Sequence, residues 1–544
     1  MSHKSDAYSL RSFIEDLRKN HPEEIFEVND NVKLDFETTA YYLNLRKRNP
    51  VLLFNNIIGH TGFTIVTNIF GSEDRFARIS GFKSVEELME RWSSVTDNIP
   101  SGQIIDNRDQ HSVHKIITGE KINIFDLPIP SHYEMDGSKK GFSRYITGGL
   151  TTTIDPENKD TINLSFSRIQ PFERNKFAFD AGSHGHLWKH LNISKLRGER
   201  LKMTILIGTN PIFYILGASF IDNEFAKVQE LFNVSFDRGH LNPIPIPRDT
   251  EIAIEAEFLP EETFEEGPFA EYVGYMGYDS TKFVAEVISI ITKNDPIYYD
   301  IQPSNSSEHV NLFSIPRSSI VMKGVKESLP KGPTYRIVWP HYGGRFLALG
   351  YVENAEPGLA KQLGITVLGL DPLWNKAVFI NDGRTRLDIN TALINLAQLN
   401  EYSERNVTKL IGSFVISSDP TRDEQGNTAK IIFVTKGNNL PYDREVEQDS
   451  VILKSNSGSA VISHRYRDDQ KVNVIVSDDI DLYDEEQVGW AIATRSNPEN
   501  DIKLEKNRIT ILANRKVPQV AAVPREIKEK IEKKLSSLTD GIHR

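Results

Sequence analysis

The middle of the chain, from about residue 115 to about residue 300, contains many short runs of β-branched and aromatic residues. Examples are MTILIGTNP at 203–211, EIAIEAEFLP at 251–260 and FVAEVISIITKNDP at 283–296. Such runs predict β-strands, and the Gly, Pro, Asn and Asp residues between them predict turns. Strands this numerous and this short favour an antiparallel or mixed β domain, such as a barrel.

The regions on either side of the β-rich middle combine helical and strand patterns. Residues 8–20 have apolar residues at helical spacing, and Ser84–Trp92 begins with a capping serine followed by acidic residues. Beyond residue 305, strand and helix patterns alternate, which is typical of an α/β fold. Arg525–Leu535 has an apolar stripe and is predicted to be a helix that docks on its own or a neighbouring subunit.

The length of the chain indicates several domains. At roughly 100–200 residues per domain, 544 residues suggest about three. We predict a multidomain fold of the α+β or α/β class, in which α/β domains flank the β-rich one. The predicted parts are an N-terminal α/β domain at 1–115, the central domain at 116–305, a C-terminal α/β domain at 306–515 and a C-terminal helix at 516–544.

The composition excludes several kinds of chemistry. The chain has no cysteine, which excludes disulfides, thiolate catalysis, iron–sulfur clusters and cysteine-bound zinc. The net charge is −11 and the basic residues are not clustered among aromatic ones, so neither a nucleic acid nor a membrane is an expected partner. No apolar run approaches the ~20 residues of a membrane span, and residues 1–20 lack an apolar signal core, so we expect a cytoplasmic protein.

Two carboxylates flank a Gly-Pro dipeptide in Glu266-Gly-Pro-Phe-Ala-Glu271. Proline fits neither a helix interior nor a central strand, so this segment is predicted to be a turn or a strand entry. Such a turn can hold both acids near one point, where their repulsion lets one of them keep a proton at neutral pH. With an arginine nearby to keep the other ionised, the pair could act as a general acid. The alternative is a solvated pair of acids without a role.

A second motif, Asn163-Leu-Ser-Phe-Ser-Arg168, separates an amide and a guanidinium by an odd number of residues. In a regular strand these side chains face opposite sides, so both reach one site only if the strand ends or bulges between them. Ser165 and Ser167 are small and would let a bulky ligand approach the backbone. The alternative is an ordinary edge strand with an exposed arginine.

Oxygen and imidazole donors in the same region suggest a metal site. Asn163, His186 and Glu224 would form a mixed N/O set, which suits Mn2+ or Mg2+ better than zinc. His184 competes with His186, and Asp222 competes with Glu224. Spacing alone does not choose among these ligands.

A series of motifs follows one order along the chain. In the β-rich middle they are FDLPIP at 125–130, YITGG at 145–149, NLSFSR at 163–168, GH at 185–186, IGTNP at 207–211 and EGPFAEYVGY at 266–275. DPIY at 295–298, DDIDLY at 478–483 and WAIATR at 490–495 come after them. Together they resemble the UbiD family of prenylated-FMN-dependent decarboxylases, whose members include ubiquinone-pathway and ferulic-acid decarboxylases.

The resemblance implies a carboxy-lyase, namely a reversible non-oxidative decarboxylase of an aromatic, heteroaromatic or α,β-unsaturated carboxylic acid. It implies that residues 116–305 form a split β-barrel that binds prenylated FMN and a metal, and that residues 306–515 mediate oligomerisation. A homodimer or a larger homo-oligomer is therefore expected. A flavin prenyltransferase would supply the cofactor, and the substrate would be a small carboxylic acid.

The resemblance also assigns catalytic roles by position. Arg168, Glu266 and Glu271 would form the catalytic network. Glu271 would be the proton donor, and Arg168 with Glu266 would form the supporting ion pair. A rival hypothesis is a non-catalytic flavin-binding or structural subunit of a carboxylase complex, which would lack one or more of these residues. A second rival is a metal-dependent hydrolase, which would bind no flavin.

Cofactor contacts are implied in the same way. Asn163, His186 and Glu224 would hold Mn2+ or Mg2+, and backbone carbonyl groups around Ala218, Ser219 and Arg495 would hold K+. The implied flavin contacts are Asn163, Ser165, Phe166, Ser167, Arg168, Gly185, Ala218 and Ser219, with Arg465 at the phosphate and Lys376 as the alternative to Arg465. The family's pattern is not followed everywhere, since Leu164 stands where relatives often have tryptophan and the loop before Glu224 is short.

Overall fold

The computed structural model describes residues 8–89, 92, 115–138, 141–183, 185–219, 221, 223–232, 234–437 and 441–542. The chain divides into a first unit, Met1–Pro316 with Ala521–Arg544, and a second unit, Arg317–Val520. Both units mix helices with sheets, which confirms the predicted fold class at that level. The four-part division of the chain stays a prediction.

The helices begin where apolar spacing and capping residues place them. The four apolar residues of the first helix, Leu10, Phe13, Ile14 and Leu17, are buried, and Ser9 Oγ accepts a hydrogen bond from Ser12 N–H (3.1 Å). The helices are α1 (Leu10–Asn20), α2 (Glu37–Leu45), α3 (Glu73–Ile79), α4 (His186–Arg197), α5 (Pro211–Gly217), α6 (Glu224–Leu231), α7 (Ser307–Ser328), α8 (Leu359–Leu370), α9 (Ile389–Ala397), α10 (Glu485–Arg495) and α11 (Arg525–Ile542). None of the described helices is both long enough and apolar enough to cross a membrane.

The described residues of the first unit form three sheets. Its strands are β1 (Ile25–Val32), β2 (Val51–Ile57), β3 (Thr64–Thr67), β4 (Lys115–Thr118), β5 (Gly149–Ile154), β6 (Ile162–Phe166), β7 (Ile169–Glu173), β8 (Lys176–Phe179), β9 (Lys202–Ile207), β10 (Phe236–Asp237), β11 (Ile246–Pro247), β12 (Ile252–Glu266), β13 (Ser280–Thr292) and β14 (Ile297–Asp300). Strands β1, β2, β3 and β14 form a mixed sheet, and β10 pairs with β11.

The β-rich middle forms one eight-stranded antiparallel sheet. Its strand order is β6-β5-β9-β12-β13-β8-β7, and β4 pairs with β13. Strands β6 and β7 lie at opposite ends of this order, yet only Ser167 and Arg168 connect them in sequence. Since two residues span no more than about 10 Å between strands, the sheet must curl until its two ends meet at Arg168. Curling of this kind is compatible with the predicted barrel, and the split-barrel description stays a prediction.

In the second unit, the part of the chain that the structure describes forms two sheets. Its strands are β15 (Thr334–Val338), β16 (Leu347–Glu353), β17 (Ala377–Asp382), β18 (Val407–Ser413), β19 (Thr428–Lys436), β20 (Asp443–Glu447), β21 (Ser450–Ser455), β22 (Gly458–Ser463), β23 (Val472–Val476), β24 (Ile502–Glu505) and β25 (Arg508–Ala513). The strand orders are β15-β16-β17-β19-β18 and β20-β21-β22-β23-β25-β24. Parallel pairs join β16, β17 and β19, which explains the apolar runs at 347–349, 377–380 and 431–434 in these strands.

The C-terminal helix α11 packs on the first unit. Ile531 is 1% exposed and belongs to the core of that unit, and Ile527 and Leu535 pack against the same core. Lys530 Nζ donates a hydrogen bond to Glu37 Oε1 (2.7 Å) on α2. The apolar stripe predicted for this helix therefore docks on the helix's own chain.

Replacing Ile531 with alanine is expected to lower the free energy of unfolding by about 2–5 kcal/mol, because it removes buried apolar volume and leaves a cavity. Urea unfolding followed by circular dichroism measures this change. Glu532→Ala is the matched control, since Glu532 is exposed on the same helix. Equal unfolding midpoints for the two variants would show that α11 does not stabilise the unit.

Candidate functional site

Arg168 joins two glutamates into one network. Its NH2 group donates a hydrogen bond to Glu266 Oε2 (2.7 Å), and its NH1 group donates to Glu271 Oε1 (2.9 Å). The exposed fraction of the side chain is 0% for Glu266, 16% for Arg168 and 33% for Glu271. The three residues predicted from two separate motifs therefore lie together, with Glu271 at the more open side.

The two glutamates lie on either side of a turn that leaves the sheet. Glu266 is the last residue of β12, and Gly267 follows it with φ of 104°. An added Cβ on Gly267 would lie 3.0 Å from the Asp279 Cα atom, so this position requires glycine. Glu271 N–H donates to the Tyr275 carbonyl (2.8 Å), which folds the loop back on itself.

Arg168 reaches the glutamates because the strand ends before it. Strand β6 ends at Phe166 and β7 begins at Ile169, so Arg168 lies outside both strands, as a shared site with Asn163 requires. The Arg168 guanidinium lies 5.1 Å from the centroid of the Phe269 ring, in cation–π contact. Although burial alone would lower it, the carboxylates of Glu266 and Glu271 raise the pKa of Arg168, so the guanidinium is always charged.

Several buried polar atoms at this network have unused hydrogen-bonding capacity. Among the described residues, Arg168 Nε and Ser167 Oγ have no hydrogen-bond partner, and the Tyr145 hydroxyl lies next to the Glu266 carboxylate. Tyr145 belongs to the same site, since its ring lies 4.4 Å from the Phe269 ring. Burial, and next the negative charge of Glu266, raise the pKa of Tyr145, which therefore stays a neutral hydroxyl. Because buried polar groups are nearly always paired, these atoms indicate a place for a polar ligand.

The predicted metal ligands lie on three elements. Asn163 is on β6 and almost fully buried, and its Nδ2 donates to Ser165 Oγ (3.0 Å), so its amide oxygen is the atom that would bind a cation. Glu224 is the first residue of α6, and its Oε2 accepts a hydrogen bond from Leu164 N–H (3.2 Å). Glu224 therefore lies beside Asn163, and its role as a metal ligand stays a prediction. His186 is the first residue of α4, directly after Gly185.

The competing ligands His184 and Asp222 lie outside the described residues. Within the described part of the chain, the His, Asp and Glu side chains close enough to hold a metal are His21, Glu23 and Glu24 near the N-terminus. Solvent-accessible groups of this kind are common without an ion. The predicted metal ligands Asn163, His186 and Glu224 differ from this N-terminal group because one of the three is an amide side chain.

The remaining predicted contacts fall in both units. Ser219, just after α5, is buried and accepts a hydrogen bond from Trp92 Nε1 (3.3 Å), and Ala218 precedes it. Arg465 lies in the second unit and is exposed. Lys376, also in the second unit, is buried and donates to Asp419 Oδ1 (3.2 Å) and Thr421 Oγ1 (3.0 Å). Its ammonium group is thus already engaged, and the choice of Arg465 over Lys376 at the flavin phosphate stays a prediction.

Two aromatic side chains close to Glu271, Tyr272 and His309, were not identified as site residues from the sequence. The Tyr272 ring lies 5.1 Å from the Phe313 ring and 6.3 Å from the His309 ring. Burial lowers the pKa of His309, and its Nδ1 faces the Ser304 carbonyl (3.1 Å), so Nδ1 carries the proton of a neutral imidazole. His309 and Phe313 are four residues apart on α7, and this spacing is the signal that could have indicated a shared face.

Family models match three parts of the chain. The model described as the 3-octaprenyl-4-hydroxybenzoate carboxy-lyase Rift-related domain, UbiD, matches residues 104–306. The N-terminal and C-terminal domain models of the same carboxy-lyase match residues 14–92 and 456–516. Together the three matches cover more than half of the chain and occur in chain order.

Individual relatives are distant in sequence. A phenolic acid decarboxylase from Bacillus subtilis is 23% identical over 66% of this chain and 77% of its own length. The UbiD-class enzyme HmfF from Pelotomaculum thermopropionicum, solved in complex with FMN, is 23% identical with a TM-score of 0.70 and covers 81% of this chain and 98% of its own. An evolved dimeric form of HmfF was solved with prFMN. A 3,4-dihydroxybenzoic acid decarboxylase from Enterobacter cloacae is 20% identical, with a TM-score of 0.70 over 81% of this chain and 98% of its own.

The solved structures share the fold of this chain along most of its length. The family models identify the domains from which that fold is built, from the N-terminal to the C-terminal part. The chain therefore belongs to the UbiD family of carboxy-lyases.

Proposed function

We propose that this chain is a reversible, non-oxidative decarboxylase of an aromatic, heteroaromatic or α,β-unsaturated carboxylic acid, and that it uses prenylated FMN. The main supporting observation is the Arg168 guanidinium, which holds the buried Glu266 (2.7 Å) and the partly exposed Glu271 (2.9 Å) at once. An acid held by a fixed cation at the open side of a site can deliver a proton to a bound substrate.

The residues around the network fit a flavin. Ser167 Oγ and Arg168 Nε are buried polar atoms without a partner among the described residues, and a flavin offers polar ring atoms for them. The small side chains of Ser165 and Ser167 leave room for a large ring system beside β6. In this proposal Ser165, Phe166, Ser167 and Gly185 contact the flavin.

The proton steps belong to the chain's own residues. Loss of CO2 from an sp2 carbon leaves electron density that no side chain can absorb, and prenylated FMN would supply this electron sink when bound. In this proposal Glu271 delivers a proton to the carbon that has lost CO2. Since Arg168 NH1 binds Glu271 Oε1, the other oxygen, Oε2, is the one left to face the substrate.

Glu266 acts through Arg168 and not on the substrate. Its carboxylate is fully buried and hydrogen-bonds Arg168 NH2, which fixes the plane of the guanidinium. A fixed guanidinium in turn holds Glu271 in one orientation. Glu266 is therefore a positioning residue, and in the reverse direction the same network takes back the proton that Glu271 delivered.

The substrate class is supported by the aromatic surroundings of Glu271. Tyr272 and Phe313 are half-buried and lie in edge contact, so part of each ring remains open to a planar ligand. The names of the relatives, a phenolic acid decarboxylase and a 3,4-dihydroxybenzoic acid decarboxylase, support an aromatic acid. A flavin prenyltransferase would supply the cofactor, and a homodimer or larger homo-oligomer is the expected assembly.

The proposed metal site is testable by metal content. With Mn2+ held by Asn163, His186 and Glu224, and K+ nearby, we expect Asn163→Ala to lower bound manganese by at least about tenfold, because it removes one ligand of the set. Mass-spectrometric metal analysis after gel filtration in Mn2+ measures this loss. Asn175→Ala is a suitable control, since Asn175 lies in the turn between β7 and β8, where its amide donates to Glu286 Oε1 (3.1 Å). Equal manganese in both variants would contradict the ligand assignment.

The cofactor decides between the proposal and its rivals. Protein co-expressed with a flavin prenyltransferase and supplied with Mn2+ is expected to bind about one prenylated flavin per chain. The visible absorption spectrum and mass spectrometry of the released cofactor measure this, and a panel of aromatic, heteroaromatic and acrylic acids then identifies the substrate. A chain that binds flavin without turnover would support the non-catalytic subunit, and a hydrolase would bind no flavin. The intact Arg168–Glu266–Glu271 network favours the decarboxylase.

A further inference from the structure

A second segment, Tyr133–Gly137, holds the loop that carries Glu271, and the mechanism above does not use it. Asp136 Oδ1 accepts a hydrogen bond from Ala270 N–H (3.1 Å), and Gly137 N–H donates to the Pro268 carbonyl (2.8 Å). Ala270 is the residue directly before Glu271. The backbone position of Glu271 therefore depends on the Asp136 carboxylate.

Asp136 is itself held rigidly. Its Oδ2 accepts a hydrogen bond from Tyr133 N–H (3.0 Å), and its own N–H donates to the Tyr133 carbonyl (3.1 Å). Gly137 has φ of 58°, and an added Cβ would lie 2.1 Å from the Phe142 carbonyl oxygen, so this turn accepts only glycine. A fully buried carboxylate on such a turn can fix a second loop precisely where a flexible side chain could not.

The charges around Asp136 suit this task. His132 Nε2 hydrogen-bonds Asp300 Oδ1 (2.9 Å) in a fully buried pair. Although burial lowers it, Asp300 raises the pKa of His132, which favours a cationic imidazolium. Burial raises the pKa of Asp136 to about 7, and His132, the two backbone N–H groups and Arg168 act in the opposite direction. Burial outweighs these groups, so Asp136 is only partly ionised at neutral pH, and both of its carboxyl oxygens accept a backbone N–H in the structure.

We propose that Asp136 is a positioning residue for the proton donor: its carboxylate fixes Ala270, and thereby places Glu271 against Arg168 and the substrate. The inference rests on the proposed function, since the position of Glu271 matters for turnover only if Glu271 delivers the proton. Displacing a catalytic group by about 1 Å can cost about 10²-fold in rate. Asp136 acts through Glu271 and does not touch the substrate.

Turnover of the flavin-loaded enzyme is the first test. Asp136→Ala is expected to lower kcat by about 100-fold and to leave KM for the acid within about twofold of the wild type, because binding contacts are untouched. Asp136→Asn is expected to recover about half of the lost activation free energy, or about tenfold in kcat, since its amide oxygen can still accept from Ala270. Loss of substrate binding with kcat preserved would overturn the proposal.

Glu308→Gln is the matched control. Glu308 is also a fully buried acid of the first unit whose pKa burial raises to about 7. Its carboxylate likewise accepts backbone N–H groups, from Asn68 (2.8 Å) and Phe70 (3.1 Å), but these lie in a different loop. The kcat of the Glu308→Gln variant is expected to lie within about twofold of the wild-type value. An equal fall in kcat for Glu308→Gln and Asp136→Asn would show that Asp136 contributes only to the stability of the fold, and it would overturn the inference.

Hydrogen–deuterium exchange of the flavin-free protein gives a readout that is independent of activity. In Asp136→Ala, peptides covering residues 266–277 are expected to exchange at least about tenfold faster, while peptides of β9 and β12 stay unchanged. Unchanged exchange at 266–277 would overturn the proposal that Asp136 fixes this loop. If Asp136→Ala does not fold, Asp136→Asn decides by the same readout. A wild-type enzyme that loads flavin but turns over no acid would refute the proposed function. The exchange result would still show whether Asp136 fixes the loop that carries Glu271.

Discussion

Replacing Glu271 with glutamine is expected to lower kcat by about 10²–10⁴-fold, the usual contribution of a positioned general acid. Glutamine has nearly the shape of glutamate, and its amide oxygen can still accept the hydrogen bond from Arg168 NH1, so the loop keeps its position. The amide carries no acidic proton to deliver. Flavin content is expected to stay at the wild-type level, because Glu271 is not among the proposed flavin contacts.

Two measurements separate proton delivery from other steps. The first is kcat for CO2 release at saturating acid. The second is exchange of the product's C–H proton with D2O, which by microscopic reversibility uses the same group and should fall in parallel. Glu261→Gln is the control, since Glu261 is exposed on β12 and outside the network. A Glu271→Gln enzyme that retained more than about a tenth of the wild-type kcat would show that the proton comes from another group.

The Arg168–Glu266–Glu271 network could be predicted because its residues lie in two contiguous motifs that resemble those of the UbiD family. Glu266 and Glu271 are separated by a Gly-Pro turn, and turn chemistry is legible in the sequence. The odd spacing of Asn163 and Arg168 required a strand end between them, and β6 ends at Phe166. The short strands of the β-rich middle were predictable for the same reason, since alternation and turn residues are local signals.

The surroundings of the network could not be predicted because they depend on long-range contacts. Asp136 and Ala270 are 134 residues apart, and nothing local to Asp136 marks it as different from any other aspartate before a glycine. Tyr145 lies in a motif quoted from the sequence, but its contact with Phe269 arises only when the two segments pack. The curling of the sheet that brings Arg168 to the glutamates follows from the strand order, which periodicity does not reveal.

Removing the charge of Arg168 tests the other half of the network, with effects on both stability and rate. Arg168→Gln leaves the fully buried Glu266 carboxylate without its cation. Breaking a buried ion pair by deleting one partner typically costs about 3–5 kcal/mol, because the remaining charge is desolvated and unpaired. We expect a loss of about 3 kcal/mol in the free energy of unfolding, at the low end because Arg168 retains some exposure.

The double variant Arg168→Gln with Glu266→Gln separates the two effects. It removes both charges, so most of the lost stability should return, whereas kcat/KM should stay at least about 10²-fold below the wild type because Glu271 is no longer held. Urea unfolding measures the free energy of unfolding, and steady-state kinetics on the flavin-loaded protein measure kcat/KM. Arg200→Gln is the control: its pair with Glu257 (3.3 Å) is at the surface, and such pairs contribute less than about 1 kcal/mol. Equal free energies of unfolding for the single and double variants would show that the buried charge of Glu266 does not need Arg168. The hypothesis of a supporting ion pair between Arg168 and Glu266 would then be wrong.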